Sequence, residues 1–394
     1  MQSHQTNLTL NTSYAVNTSK VYFWLLIVYF CLPNYEFSAL SAAASGLKSS
    51  DFVSIIIAFF LYKHGSFKVN KILLFFALWY FFKGILSLSP ISFLFGARFL
   101  EYIVVIAAAY NMNTKDLEKF FSIFTNFLIF YFFLEAIFIL LGLGSPFSFL
   151  NSGMTWQGRF TSIFGGPYEL GAIALLLTFL PGNQRKVFFI ILLFFSQARA
   201  SILGLGALIF NPRAWILILP LSIIMIFLAV SRFDDLFNLL PQISSIFETF
   251  TYLLNDFSYT SKEEYINNWN MREDVISLIS EDGGRSTLLR IYTYLLILSG
   301  MSDISVIIFG YFPGIYGVAV DSSLLRIFGE TGLIGIILFL ACMTKQIRKK
   351  ETFLVTVAFF INLSLVDIYF SSKAFTLYWI IVFYLTEKKY DFQK

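Results

Sequence analysis

Two histidines and two cysteines are all that this 394-residue chain offers of the side chains that most often hold metals or activate nucleophiles. His4 lies in the polar N-terminal stretch and His64 in a basic loop, so an acid–base mechanism cannot rest on histidine. Cys31 and Cys342 both fall in apolar runs, which excludes a disulfide framework or a cysteine metal site. Charge is scarce as well: 13% of residues are charged, against about 25% in a soluble domain. The net charge of +4 is small, and the basic residues gather in loops. They concern membrane orientation rather than a nucleic-acid face. No nucleotide-binding glycine loop, metal-ligand spacing, fixed-period repeat or coiled-coil heptad is present. The polar stretch 1–19 has no basic region leading to a cleavage site, so the expectation is an uncleaved first apolar segment acting as signal anchor.

What is abundant is apolar surface. The chain is 57% hydrophobic and 19% aromatic, and 49 residues are phenylalanine. Such a composition specifies an all-α polytopic membrane protein. Apolar runs predict spans near 21–37, 51–62, 71–88, 91–110, 117–143, 167–180, 187–198, 200–210 and 214–230, then 322–343, 352–370 and 374–385. That is about 12 transmembrane helices. Several are short for a bilayer that needs about 20 residues. The pair 187–198 and 200–210 reads either as one kinked span or as two short helices meeting at Arg199, and the charge pattern fits two better.

Lys and Arg concentrate at 63–71, 115–119, 185–186, 213, 345–350 and 388–394. With twelve spans these all fall on one side with both termini, and that side is cytoplasmic. The expected organisation is a membrane bundle over 1–230, with nine spans and a short outer loop at 144–166. A large outer loop follows over 231–321, then three spans and a cytoplasmic tail over 322–394. An apolar stretch at 288–298, followed by 306–309, reads as a further span or as amphipathic helices on the outer surface. Parity favours the second.

Arginine is the main chemical signal. Arg98 sits inside the run 91–110, and a charge at mid-span costs roughly 2.5–3.5 kcal/mol on insertion scales. An i,i+3 pair with Glu101 explains part of it. Arg159, Arg199, Arg285, Arg290 and Arg326 all fall near the outer face in this layout. Converging guanidiniums suit a lipid-linked phosphate or pyrophosphate, although outer arginines also neutralise acidic loops, as Arg232 and Arg272 are expected to do. Glu169 and Asp321 each stand near a helix start. Either caps the helix dipole or serves as a general base toward a sugar hydroxyl. Glu330 is placed to pair with Arg326 at i,i+4.

Three segments, with Gly284-Arg285 and the stretch Gly310 to Asp321 between the second and third, carry a resemblance. They are Gly158-Arg-Phe-Thr-Ser-Ile-Phe-Gly-Gly-Pro-Tyr-Glu-Leu-Gly171, Ser196-Gln-Ala-Arg-Ala-Ser-Ile-Leu-Gly204 and Asp321-Ser-Ser-Leu-Leu-Arg-Ile-Phe-Gly-Glu-Thr-Gly-Leu-Ile-Gly335. In this order they resemble the Wzy-type O-antigen polymerases and the related O-antigen ligase superfamily. The resemblance implies a GT-C-type glycosyltransferase of the bacterial inner membrane that needs no cofactor or metal. It would join undecaprenyl-pyrophosphate-linked oligosaccharide repeat units at the periplasmic face, with a separate co-polymerase setting chain length. Arg159, Arg199 and Arg285 would match the family arginines that bind the pyrophosphate, with Arg98, Arg290 and Arg326 around them. The ligases carry a catalytic histidine on the outer face. This chain has none there, which favours a polymerase, with Asp321 first and Glu169 second as candidate base. Ligase, capsule or exopolysaccharide polymerase, and lipid-linked oligosaccharide flippase are the alternatives.

Overall fold

A computed structural model describes residues 18–33, 48–64, 67–143, 146, 160–164, 166–180, 185–210, 294, 297–298, 303–315, 322–366 and 371–392. Among these residues the chain is helical and has no β-strand. The helices are α1 (Thr18–Cys31), α2 (Ser49–His64), α3 (Lys71–Leu86), α4 (Pro90–Tyr110), α5 (Thr114–Leu140), α6 (Pro167–Thr178), α7 (Lys186–Ser196) and α8 (Arg199–Gly204). A 3₁₀ turn, Leu205–Phe210, prolongs α8. Then come α9 (Ile304–Phe309), α10 (Ser323–Ile347), α11 (Phe353–Leu365) and α12 (Ser372–Phe392). Every predicted apolar run but one coincides with a helix. The exception, 214–230, lies outside the described residues, as does most of 231–321.

Local chemistry sets the helix starts. Asn70 accepts from the Ile72 amide, Asn113 from Asp116 and Asp303 from Ser305. Pro90 and Pro167 open α4 and α6, where a missing N–H costs nothing. The break between α7 and α8 falls at Gln197, which takes a left-handed conformation (φ 51°, ψ 28°). The two-helix reading of this pair is therefore the one observed.

Among the described residues three helices, α4, α5 and α10, are long and apolar enough to cross a membrane. The twelve spans expected from the runs are not all of spanning length. Helices α6, α7 and α11 have 12, 11 and 13 residues, about half the length that a bilayer core requires. For α6 its position explains the difference, whereas α7 exposes Val187, Ile191 and Phe195. Every residue of α6 but Tyr168 is buried, as is nearly all of α12 from Lys373 to Leu385. A helix sheathed by other helices need not match the bilayer thickness. Helices on the outside show the reverse. Phe127, Phe130, Phe133 and Ile137 on α5, Ile55 and Phe59 on α2, and Phe75, Leu78 and Phe82 on α3 are exposed. A soluble surface does not carry an apolar belt of that extent, whereas lipid requires one.

The helix ends sort into two rims. At one, α1, α3, α5, α7 and α11 finish while α2, α4, α6, α8, α10 and α12 begin. There Lys373 reaches the Leu32 carbonyl, Ser371 reaches Glu169, Ser323 reaches the Val366 carbonyl, and the Phe160 amide donates to Phe195. At the other rim Ser19 donates to Asp116, Lys388 and Tyr384 donate to Glu118, and Tyr110 stacks on Phe383. The second rim also bears Lys115, Lys119, Lys345 and Lys349.

Candidate functional site

At the first rim, charges from distant parts of the chain meet in three groups. The first surrounds Arg326 and Glu330. The Arg326 Nε donates to Glu330 Oε1 at 2.9 Å, and both side chains are fully buried. Glu330 also accepts from the Gly314 amide (2.9 Å) and from the Tyr80 hydroxyl. The Phe95 ring lies 5.6 Å from the Arg326 guanidinium carbon and 5.9 Å from that of Arg98. Two arginines thus share one aromatic face partner. Burial raises the Tyr311 phenol above its ordinary value in the turn beside this group, and Asp303 adds to the shift.

A second group brings together Lys48, Asp51, Arg98, Glu101, Glu169, Ser371 and Lys373. Ser371 donates to Glu169 Oε1 at 2.6 Å and accepts from the Ala374 amide, closing the first turn of α12. Asp51 accepts from the Lys48 amide at 2.8 Å. Glu101 feels Asp51, Arg98 and Lys48, and Tyr102 beside it feels Arg98 and Glu169. Lys373 is fully buried.

The third group is a pair of loops. Glu135, fully buried on α5, accepts from the Thr161 amide (3.2 Å) and the Ser162 amide (2.9 Å). Ser162 has a positive φ of 52°. The same loop reaches the end of α7 through Phe160, and Gly171 packs so closely on Ser196, Ala198 and Ser201 that a Cβ would collide with Ala198. Asn362 ties Ser201 to α11 at 2.5 Å.

Of the residues expected at a site, Glu169 is buried and Arg98 is half-buried in the second group. Arg199 is exposed at the first position of α8, on the turn against which Gly171 packs. Arg326 is fully buried in its pair with Glu330, as the i,i+4 spacing predicted. Arg159, Arg285, Arg290 and Asp321 lie outside the described residues. Arg98 therefore links the Glu169 group to the Arg326 group.

Sequence reading passed over Glu135 and Lys373. Each is a lone charge in or beside an apolar run, the same signal that drew attention to Arg98. Tyr80 gave no signal, because its partner Glu330 is 250 positions away. Among the described residues no group of His, Cys, Asp and Glu is placed to hold a metal ion. What the rim offers chemically is cations for an anionic ligand and carboxylates able to take a proton. Comparison with protein-family models, with curated proteins and with solved structures returns no match.

Proposed function

We propose that this chain is a Wzy-type polymerase of the bacterial inner membrane, extending a surface polysaccharide from undecaprenyl-pyrophosphate-linked repeat units. The observation that carries the reading is the packing of two of the resembling segments against each other. The described part of segment 158–171 meets segment 196–204 through the close approach of Gly171 to Ser196, Ala198 and Ser201, and Phe160 donates to the Phe195 carbonyl just before that segment. The third segment, 321–335, joins the same rim through Ser323 and Arg326.

In this reading the chain crosses the membrane twelve times with both termini cytoplasmic, and the first rim faces the periplasm. A hydroxyl at the non-reducing end of the incoming unit attacks the anomeric carbon of the growing chain. The new glycosidic bond forms as the bond to the pyrophosphate oxygen breaks. The hydroxyl proton passes to a carboxylate, Asp321 first and Glu169 second. The leaving pyrophosphate gathers negative charge, which Arg159, Arg199 and Arg285 stabilise, with Arg98, Arg290 and Arg326 shaping the field. A co-polymerase sets chain length.

A deletion strain tests the class of activity. Loss of a polymerase leaves lipid A–core capped with a single repeat unit. Loss of a ligase or flippase leaves an uncapped core, and that outcome sinks the polymerase reading. An O-antigen cap of normal length with a missing capsule would move the substrate to capsule or exopolysaccharide. Arg199→Ala and Arg285→Ala should each abolish long chains while the protein still accumulates in the membrane; normal amounts of long chain in both variants refute the pyrophosphate role. Asp321→Asn should be as damaging if Asp321 takes the proton, and mild if it only offsets the dipole of α10, whose first turn Ser322 caps.

A further inference from the structure

Glu135 lies five residues before the end of α5 and is fully buried. An ionisable side chain inside a membrane bundle is costly and marks function by default. Both of its oxygens are engaged by consecutive residues of one loop. Oε1 accepts the Thr161 amide at 3.2 Å and the Thr161 hydroxyl at 3.4 Å, and Oε2 accepts the Ser162 amide at 2.9 Å. Ser162 is held at φ 52°, a strained conformation for a residue with a side chain, and one that persists only where its surroundings enforce it. A loop that only had to cross the rim could turn these amides to water. Here they turn inward, onto a helix of spanning length.

One turn back on the same helix, Phe132 holds the neighbouring residues. Its ring lies 5.1 Å from that of Phe160 and 5.4 Å from that of Phe195, and the Phe160 and Phe195 rings are 5.1 Å apart. The Phe160 amide donates to the Phe195 carbonyl. A single turn of α5 therefore grips the loop 160–164 and the end of α7 together. Two arginines adjoin these residues in the chain. Arg159, outside the described residues, is joined by its peptide bond to Phe160, and Arg199 opens α8 four residues after Phe195. The link between Phe195 and Arg199 is itself tied down. The Ser196 hydroxyl donates to the Leu193 carbonyl at 2.7 Å and accepts from the Ala198 amide at 3.4 Å, and Gly171 packs against both residues. A shift of the loop is thus passed on toward Arg199 rather than absorbed.

The geometry points to Glu135 as a positioning residue for diphosphate binding: it fixes the loop 160–164 against the end of α7, and so sets the placement of Arg159 and Arg199 relative to each other. It acts through the loop and needs no contact with the ligand. The inference rests on the polymerase reading for its ligand and adds to it a residue that none of the resembling segments contains. A carboxylate suits the task because it accepts on two oxygens, which match two successive N–H groups, whereas an amide side chain accepts on one.

The full-length chain in phosphatidylcholine nanodiscs can be titrated with inorganic pyrophosphate, and its melting temperature read without ligand. Glu135→Gln keeps the size of the side chain and one acceptor oxygen. It should weaken pyrophosphate binding by roughly tenfold or more, the scale of a lost charge-assisted hydrogen bond to the ligand. A residue that only stabilises the fold lowers the melting temperature and leaves the affinity of the folded protein unchanged. Wild-type affinity in Glu135→Gln therefore overturns the inference, whatever the melting temperature does. A double-mutant cycle with Arg199→Ala tests the route. Relative placement stops mattering once one arginine is gone, so the double variant should lose less than the product of the two single losses. Losses that multiply in full overturn the positioning role. Wild-type affinity in Glu135→Gln together with loss in Arg199→Ala leaves the diphosphate reading standing, and a wild type that does not bind pyrophosphate brings both down. Where Glu135→Gln does not yield folded protein, Glu135→Asp decides. It keeps both oxygens, withdrawn by one methylene, and should weaken binding about threefold; an unchanged affinity there overturns the inference.

Discussion

Arg326 and Glu330 are the most fully buried ion pair described in the chain, and their surroundings tell what each contributes. Glu330 has three donors, from Arg326, Tyr80 and Gly314. Removing Arg326 leaves a buried carboxylate with only the Tyr80 and Gly314 donors and no counter-charge in the pair, a loss of up to about 3–5 kcal/mol. Replacing both partners by apolar residues of similar volume costs less, because no charge is stranded. Arg326→Met should therefore lower the thermal stability of the detergent-solubilised protein more than the double variant Arg326→Met/Glu330→Leu does. A double variant less stable than the single one would show that the Tyr80 and Gly314 donors hold Glu330 without Arg326. The pair itself was legible, because i,i+4 spacing on a helix is local information. The Tyr80 and Gly314 contacts were not, since they depend on how α3 and the 310–315 turn dock on α10.

Helix α10 is broken at Gly332, although its apolar run reads as one uninterrupted span. Gly332 adopts φ 66° and ψ −165°, a combination essentially confined to glycine. A Cβ there would strike the Ile308 carbonyl at the end of α9, and Gly310 lies against the same peptide. The carbonyls near the break are not abandoned. Tyr311 donates its amide to the Gly329 carbonyl at 2.8 Å, and Trp79 donates its indole N–H to the Thr331 carbonyl at 3.2 Å. Such replacement donors let a membrane helix break without leaving polar groups in hydrocarbon. Gly332→Ala should lose about 1–3 kcal/mol of stability through backbone strain and displace α9, read as a lower melting temperature. Gly335→Ala, at a helical glycine of the same run, tests packing against the Thr331 side chain instead. An unchanged melting temperature in Gly332→Ala would mean that the kink is not needed for α9 to dock.

On the scale of the whole molecule, the two rims make a prediction about sidedness. The rim where α4, α10 and α12 end carries Lys345, Lys349 and Lys388, and the opposite rim carries the Glu169–Ser371 group. The positive-inside bias predicts that the first faces the cytoplasm. Single cysteines in a Cys31→Ala/Cys342→Ala background test this with a membrane-impermeant maleimide. Lys350→Cys should label only after the cells are opened, and Lys48→Cys in intact cells with a permeabilised outer membrane. The reverse pattern would put the candidate site in the cytoplasm and remove the periplasmic polymerase reading.

Sequence by itself determined the helices of the apolar runs, their order and the Arg326–Glu330 spacing, and it favoured the split before Arg199. Each depends on runs, caps and spacings within a few turns of chain. Tertiary structure alone decided which helices lie inside. Lipid tails and protein interiors are equally apolar, so composition does not separate the sheathed α6 and α12 from the lipid-facing α5. It also decided that Lys373 stands beside Leu32, 341 positions away. A pairing at that separation exists only once α1 and α12 pack at the same rim.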